Sequence, residues 1–389
     1  MAAQTKKRIV ILGSTGSVGT QALDVVRQMP DRFDVVGLSC CSHWQLVAEQ
    51  AAEFEPEAIA VTDPAGAERL AGEVSGRQVE LLAGVDGLKR LAGWEGADLI
   101  LSAVSGSAGI PAAVAALESG RTLALANKES VVACGSILMD LARENGTTIL
   151  PVDSEHSALF QLLRGVSPGD VDRAMLTASG GPFYGMSAAE MAQVTPEQAV
   201  RHPIWQMGRK ISVDSATLMN KALEVVEARW LFGLPAEKIQ VCIHPQSVVH
   251  CILHLRDGAC LAHMAVPDLR LSIQYALSYP ERMPPTGSRL NLAEAGDLGF
   301  YEPDYERFPA LAVGYRVAEV GGTSGAVMSA ADEVAVEAFL SGRIGFTDIV
   351  PVVQRTLDRH EVREVTCLQD VMDADRWARE EARRCLESL

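Results

Sequence analysis

The chain has 389 residues, of which 48% are hydrophobic and 22% charged, and its formal net charge is −16. That length predicts two or three domains with sizeable cores, and the apolar-to-charged balance excludes extended disorder. So acidic a chain is repelled by nucleic acid and by anionic membranes, so any anionic ligand has to be held by a local basic site.

At the N-terminus, Lys6-Lys7-Arg8 leads into an apolar run too short for a signal-peptide core. No stretch approaches the ~20 apolar residues that span a bilayer. The cysteines, at 40, 41, 134, 242, 251, 260, 367 and 385, form no C-x-x-C pair, as expected for reduced thiols in a cytoplasmic protein. Residues 8–12 are rich in β-branched side chains and predict a strand buried on both faces. Gly13-Ser14-Thr15-Gly16-Ser17-Val18-Gly19 follows at once, and apolar residues then recur at helical spacing through Ala22, Val25, Val26 and Met29. Strand, glycine turn and helix in that order form a dinucleotide-binding start, where free N–H groups at the helix N-terminus meet a pyrophosphate. The spacing is G-x-x-G-x-x-G rather than G-x-G-x-x-G, and a tight turn without ligand is the alternative.

A second strand over 33–38 ends near Cys41-Ser42-His43, with no acid to grip a ribose 2′-hydroxyl. That absence favours NADP over NAD and leaves Ser42 and His43 to meet the 2′-phosphate. Further strands at 58–61, 97–104 and 122–126 alternate with helices, which predicts a doubly wound parallel sheet. Asn127-Lys128-Glu129-Ser130 stands at the carboxyl end of the last of these, where open α/β sheets bind ligands, although it also reads as a helix start.

Another strand, 149–152, runs into Asp153-Ser154-Glu155-His156 and a helix over 156–163. Asp153 and Glu155 are hard oxygen ligands suited to Mg²⁺ or Mn²⁺, or else a cluster facing the helix dipole. A single helix over 212–231 presents Met219, Leu223, Val226 and Trp230 as an apolar stripe. Asn220, Lys221, Glu224 and Glu227 lie on another face, as a ligand set or as a solvated K-x-x-E pair. Ser179-Gly180-Gly181 forms a small-residue turn suited to an anion. The segment from about 183 to 208, ending in His202, Trp205, Met207 and Gly208, reads as a flap that closes over substrate. His244, His250, His254 and His263 are close in sequence, but two strands over 247–255 and 259–266 scatter them over two faces, which argues against zinc.

These runs, with His244-Pro245-Gln246-Ser247-Val248-Val249-His250, resemble the 1-deoxy-D-xylulose 5-phosphate reductoisomerase family in order and over nearly the full length. The resemblance implies a reaction dependent on NADPH and one divalent ion. It converts 1-deoxy-D-xylulose 5-phosphate to 2-C-methyl-D-erythritol 4-phosphate in non-mevalonate isoprenoid biosynthesis. It further implies that Thr15, Gly16, Ser17, Val18, Asn127, Glu129 and Gly208 line NADPH, and that Asp153, Glu155 and Glu224 hold the metal. Lys128, Ser154 and Glu155 would meet the reacting end of the sugar. Ser179, His202, Ser215, Asn220 and Lys221 would surround its phosphate, with Trp205 on the flap. Lys128, Glu155 and His202 are the expected catalytic residues. Cys41-Ser42-His43 departs from the family pattern. A semialdehyde or homoserine dehydrogenase would account for the first domain but not for three acids beside an anion pocket.

The expected architecture is an N-terminal Rossmann-type domain (1–150) and a central α/β catalytic domain (151–279) whose sheet, by the resemblance, makes a homodimer. A linker (280–309) and a C-terminal helical bundle (310–389) follow. The expected partner is a small phosphorylated sugar, with no nucleic acid and no membrane.

Overall fold

The computed structural model describes residues 5–205 and 207–388, so Gln206 of the flap lies outside the described residues. The chain separates into two compact units. The first takes the chain up to Asn127 together with Leu138–Asp153 and Asp268–Gly287; the second takes Lys128–Ile137, Ser154–Pro267 and the chain from Ser288 onward. This division differs from the expected boundaries, because Asp268–Gly287 groups with the N-terminal unit and the C-terminal helices share a unit with the central region. The helix Leu269–Ser278 packs on Ser17–Gln28. Its Gln274 side chain holds the following loop through Met283 O, Pro284 O and Thr286 N at 2.9–3.1 Å.

The first unit is built on seven parallel strands: β1 Lys7–Leu12, β2 Phe33–Cys40, β3 Ala58–Val61, β4 Glu80–Ala83, β5 Leu99–Ser102, β6 Thr122–Leu125 and β7 Ile149–Pro151. Their order is β4-β3-β2-β1-β5-β6-β7, and every pairing is parallel. Ile9 to Leu12 are completely buried, as a central strand covered on both faces requires. β4 is a short edge strand with three exposed residues out of four, and its apolar stretch, Leu81-Leu82-Ala83, is only three residues long. The order reverses between β1 and β5, which opens a crevice at their carboxyl ends. Two glycines make the turn there possible. Gly13 has φ +78°, and a Cβ on it would lie 2.6 Å from Ala103 O; a Cβ on Gly19 would lie 2.3 Å from Gly13 O. The helix Ser17–Gln28 starts beyond them with Gly16 as its N-cap and no side-chain cap.

The second unit holds a four-stranded mixed sheet in the order β11-β10-β8-β9, formed by β8 Val171–Ala178, β9 Ile239–Ile243, β10 Val249–Leu255 and β11 Cys260–Met264. β10 and β11 form the expected antiparallel hairpin, turned at Arg256-Asp257-Gly258 with Gly258 at φ +88°. The helix expected over 212–231 is instead two helices, Arg209–Thr217 and Met219–Phe232. They break at Leu218, which adopts a left-handed conformation (φ 61°, ψ 13°). Burial of the Leu218 side chain offsets a backbone cost of about 1–2 kcal/mol. Thr217 Oγ1 stabilises the break by accepting from Met219 N.

C-terminal helices complete this unit: Ala310–Val320 on Met219–Phe232, and Ser324–Leu340 on Ile349–Asp358 and Leu368–Glu387. No helix among the described residues is long and apolar enough to cross a membrane. A Cβ on Gly314 would lie 2.6 Å from Ala222 Cα, so the first pair of helices meets backbone to backbone. Gly314→Ala is expected to lower stability in chemical denaturation by about 1–3 kcal/mol through overpacking. Gly72→Ala, on a helix with nothing within 4 Å, is expected to be neutral or stabilising. Equal effects at the two positions would contradict this packing.

Candidate active site

In the second unit, Ser154–Leu163 begins a helix whose first turn carries Glu155, held by Ser154 Oγ at 2.9 Å. Asp153 is joined to Ser154 by the peptide bond. Met219–Phe232 brings Glu224 from elsewhere in the chain, and one carboxylate oxygen each from Asp153, Glu155 and Glu224 lies within 4.8 Å of the others. Glu224 is fully buried and Lys221 nearly so, which excludes the solvated helix pair. It is the one three-residue cluster of potential metal ligands among the described residues, and the four clustered histidines form none.

Basic and amide groups surround these acids. Lys221 Nζ pairs with Glu224 Oε2 and lies 3.2 Å from Glu155 Oε2. Asn220 Nδ2 donates to Glu224 Oε1 at 2.6 Å, and Lys128 Nζ lies 3.3 Å from the same oxygen. A second buried acid one turn on, Glu227, places Oε2 3.6 Å from Lys128 Nζ. Counting Asp153, Glu155, Glu224 and Glu227 against Lys128 and Lys221 gives four formal negative charges against two positive ones. The excess equals the charge of one divalent cation. Three convergent hard oxygens and that excess suit Mg²⁺ or Mn²⁺.

A second cluster is set for an anion. Gly180 (φ +83°) and Gly181 (φ +67°) turn the chain after Ser179, and a Cβ on Gly181 would lie 2.7 Å from Ser215 O. The turn therefore packs directly on the helix that carries Ser215. His202 Nδ1 accepts from the backbone N–H of Ile204 at 3.1 Å and of Trp205 at 2.9 Å. These contacts assign the ring proton to Nε2, which donates to Ser179 Oγ at 2.9 Å. Ser179 Oγ also accepts from Gly181 N at 3.2 Å, so its own proton is available to an incoming oxygen. The expected flap residues therefore meet the expected anion turn.

Glu129, expected beside a cofactor, lies 3.6 Å from Lys210 Nζ, which is itself 2.7 Å from both Asp214 and Asp332. Burial and the neighbouring Asp332 carboxylate push the Asp214 carboxyl well above the usual range. Gly208 caps the Arg209–Thr217 helix at this point. Sequence reasoning did not place His250 here, yet its Nδ1 lies 3.3 Å from Glu155 Oε1 and its ring centroid 6.5 Å from that of Trp205. His250 is itself buried, but Ile252 and His254, its alternation partners on β10, are only half-buried, so strand alternation gave no signal for it.

In the first unit, Thr15, Gly16, Ser17 and Val18 line the turn and the start of the Ser17–Gln28 helix. Gly16 and Ser17 are exposed, as are Ser42 and His43 after β2. Asn127 is buried and donates to Val104 O at 2.7 Å and Gly106 O at 3.0 Å, which fixes the loop after β5 beside the glycine turn.

Comparison with known proteins agrees with this geometry. Models of the 1-deoxy-D-xylulose 5-phosphate reductoisomerase family match residues 9–135, and models of its C-terminal domains match 149–232 and 264–381. Reductoisomerases from Chlorobium phaeobacteroides and Geobacter metallireducens are each 47% identical to this chain, covering 98% of it and 99% of themselves. A solved Zymomonas mobilis reductoisomerase in complex with NADPH is 42% identical, with a TM-score of 0.92 over 99% of this chain and 100% of that one. A reductoisomerase in complex with NADPH, fosmidomycin and magnesium is 35% identical, with a TM-score of 0.93 over 98% of both chains.

Burial pushes the His202 imidazole down to about 4 from its ordinary value of 6.5. The unfolded chain therefore binds this proton more tightly, so the stabilisation by neutral His202 is complete above pH 6.5 and is lost as pH falls toward 4. An NMR titration of the ligand-free protein is expected to show His202 neutral from the ordinary value upward, with its midpoint near 4. A midpoint at the ordinary value would contradict the buried, doubly accepting Nδ1.

Proposed function

Because this chain belongs to the 1-deoxy-D-xylulose 5-phosphate reductoisomerase family, we propose that it rearranges and reduces 1-deoxy-D-xylulose 5-phosphate to 2-C-methyl-D-erythritol 4-phosphate with NADPH and one divalent ion, Mg²⁺ or Mn²⁺, in non-mevalonate isoprenoid biosynthesis. The observation that carries this reading is the convergence of Asp153, Glu155 and Glu224. When bound, the ion supplies polarisation of the substrate's ketone and hydroxyl oxygens, and NADPH supplies the hydride that reduces the rearranged aldehyde.

The chain's own residues bind, orient and exclude water. Lys128, held beside Glu224, points a hydrogen-bond donor at the reacting oxygens, and Ser154, whose proton goes to Glu155, accepts from a substrate hydroxyl. Lys128 offsets negative charge that develops there as a carbon–carbon bond migrates. At the other end of the sugar, Ser179 donates its free proton to the phosphate. His202, neutral and with Nε2–H on Ser179, keeps that hydroxyl correctly turned. Ser215, Asn220 and Lys221 would complete the phosphate shell. Trp205, near the end of the flap and beside His250, closes apolar surface over the sugar.

NADPH lies in the first unit with its pyrophosphate on Thr15, Gly16, Ser17 and Val18, where helix amides and dipole favour negative charge. Ser42 and His43 meet the 2′-phosphate, and Asn127 lines the cofactor beside the loop after β5. The free edge of β11, with Leu261 exposed, supports a homodimer through the second unit's sheet. All eight cysteines are unpaired, which supports a reducing, cytoplasmic setting.

Purified protein given 1-deoxy-D-xylulose 5-phosphate and NADPH is expected to consume nicotinamide absorbance only when Mg²⁺ or Mn²⁺ is present. No loss of absorbance with either ion would refute the assignment. Glu224→Gln is expected to cut turnover by about 100-fold or more while NADPH fluorescence titrations stay unchanged; a variant that turns over normally would remove Glu224 from the metal shell.

A further inference from the structure

One buried acid with no part in the proposed reaction is Glu227. It is buried, lies one helical turn beyond Glu224 and has Oε2 3.6 Å from Lys128 Nζ. Lys128 Nζ is also 3.3 Å from Glu224 Oε1, so the ammonium sits between two carboxylates on one helix face. His156 ties the pair together from the facing helix. Its Nε2 lies 2.9 Å from the Glu224 carbonyl oxygen, and its Nδ1 lies 3.5 Å from Glu227 Oε2.

A divalent ion held by Asp153, Glu155 and Glu224 changes the balance around Lys128. Glu224 then shares its charge with the ion, and Lys128 faces a cation across a buried carboxylate. Two like charges that close in a site of low polarity repel strongly. Glu227 is not among the three converging acids, so its charge stays with Lys128. In formal charge, the six groups and the ion sum to zero with Glu227 present and to one excess positive charge without it.

Resting on the metal-dependent reading above, we propose that Glu227 is a positioning residue that holds Lys128 in place beside the divalent ion, and that it thereby permits the ion to bind. The lysine and the metal then act on the same substrate oxygens because the helix provides one acid for each.

The test is Mn²⁺ binding, followed by electron paramagnetic resonance of the free ion, without NADPH or substrate. Glu227→Gln is expected to weaken Mn²⁺ binding by about ten- to a hundredfold, the usual effect of removing a supporting group around a metal site. Removal of Lys128 in the same chain, K128M/E227Q, is expected to restore binding to within about threefold of wild type, because the two effects act through one charge pair. Glu227→Asp keeps the charge and is expected to retain Mn²⁺. Thermal unfolding in chelator checks that each variant folds. Wild-type affinity in Glu227→Gln, equal losses in the single and double variants, or a Glu227→Asp as weak as Glu227→Gln would each overturn the proposal. Absence of Mn²⁺ binding by wild type would instead overturn the metal-dependent reading itself, and this proposal with it.

Discussion

A buried excess of negative charge organises the second unit. Glu224 has no exposure to solvent, and a lone carboxylate there would carry a desolvation penalty of several kcal/mol. Lys221, Lys128 and Asn220 all turn toward it, which makes the charge tolerable without neutralising the site. The result is a cluster whose remaining demand is a compact dication. In the proposed reaction, stability and function draw on the same groups: the ammonium ions that hold the acids in the folded chain are the ones offered to the substrate.

Backbone geometry is what brings these groups together. A straight helix through residue 218 would place Ser215 and Asn220 on different sides of one cylinder. The left-handed Leu218 ends one helix and starts another, so Ser215 stands at the end of the first and Asn220 and Lys221 at the start of the second. The double glycine at 180–181 performs the matching task for Ser179, since a side chain at Gly181 would strike the backbone at Ser215. In the first unit Gly13 and Gly19 serve the same purpose, allowing the turn after β1 to approach the loop after β5.

Much of this was legible in the sequence because the relevant signals are local. Short apolar runs marked β1, β3 and β6 within a residue or so, and the glycine spacing at 13–19 marked the turn. The acids at 153 and 155 were visible as a pair, but Glu224 read equally well as a surface partner of Lys221. Burial decides between those readings, and burial is a long-range property. β4 went unread because its apolar stretch is only three residues long, and the break at Leu218 because no glycine or proline announces it. Likewise His250 and Glu227 carry ordinary local signals, on a strand and a helix, and gain meaning only from Glu155 and Lys128 opposite them.

The central claim is that Asp153, Glu155 and Glu224 together bind one divalent ion. Crystals grown with Mn²⁺ and measured at the manganese absorption edge address it directly. The account predicts a single strong anomalous peak bonded to an oxygen of each of the three carboxylates. No peak there, or one at the histidines of β10 and β11 instead, would contradict it.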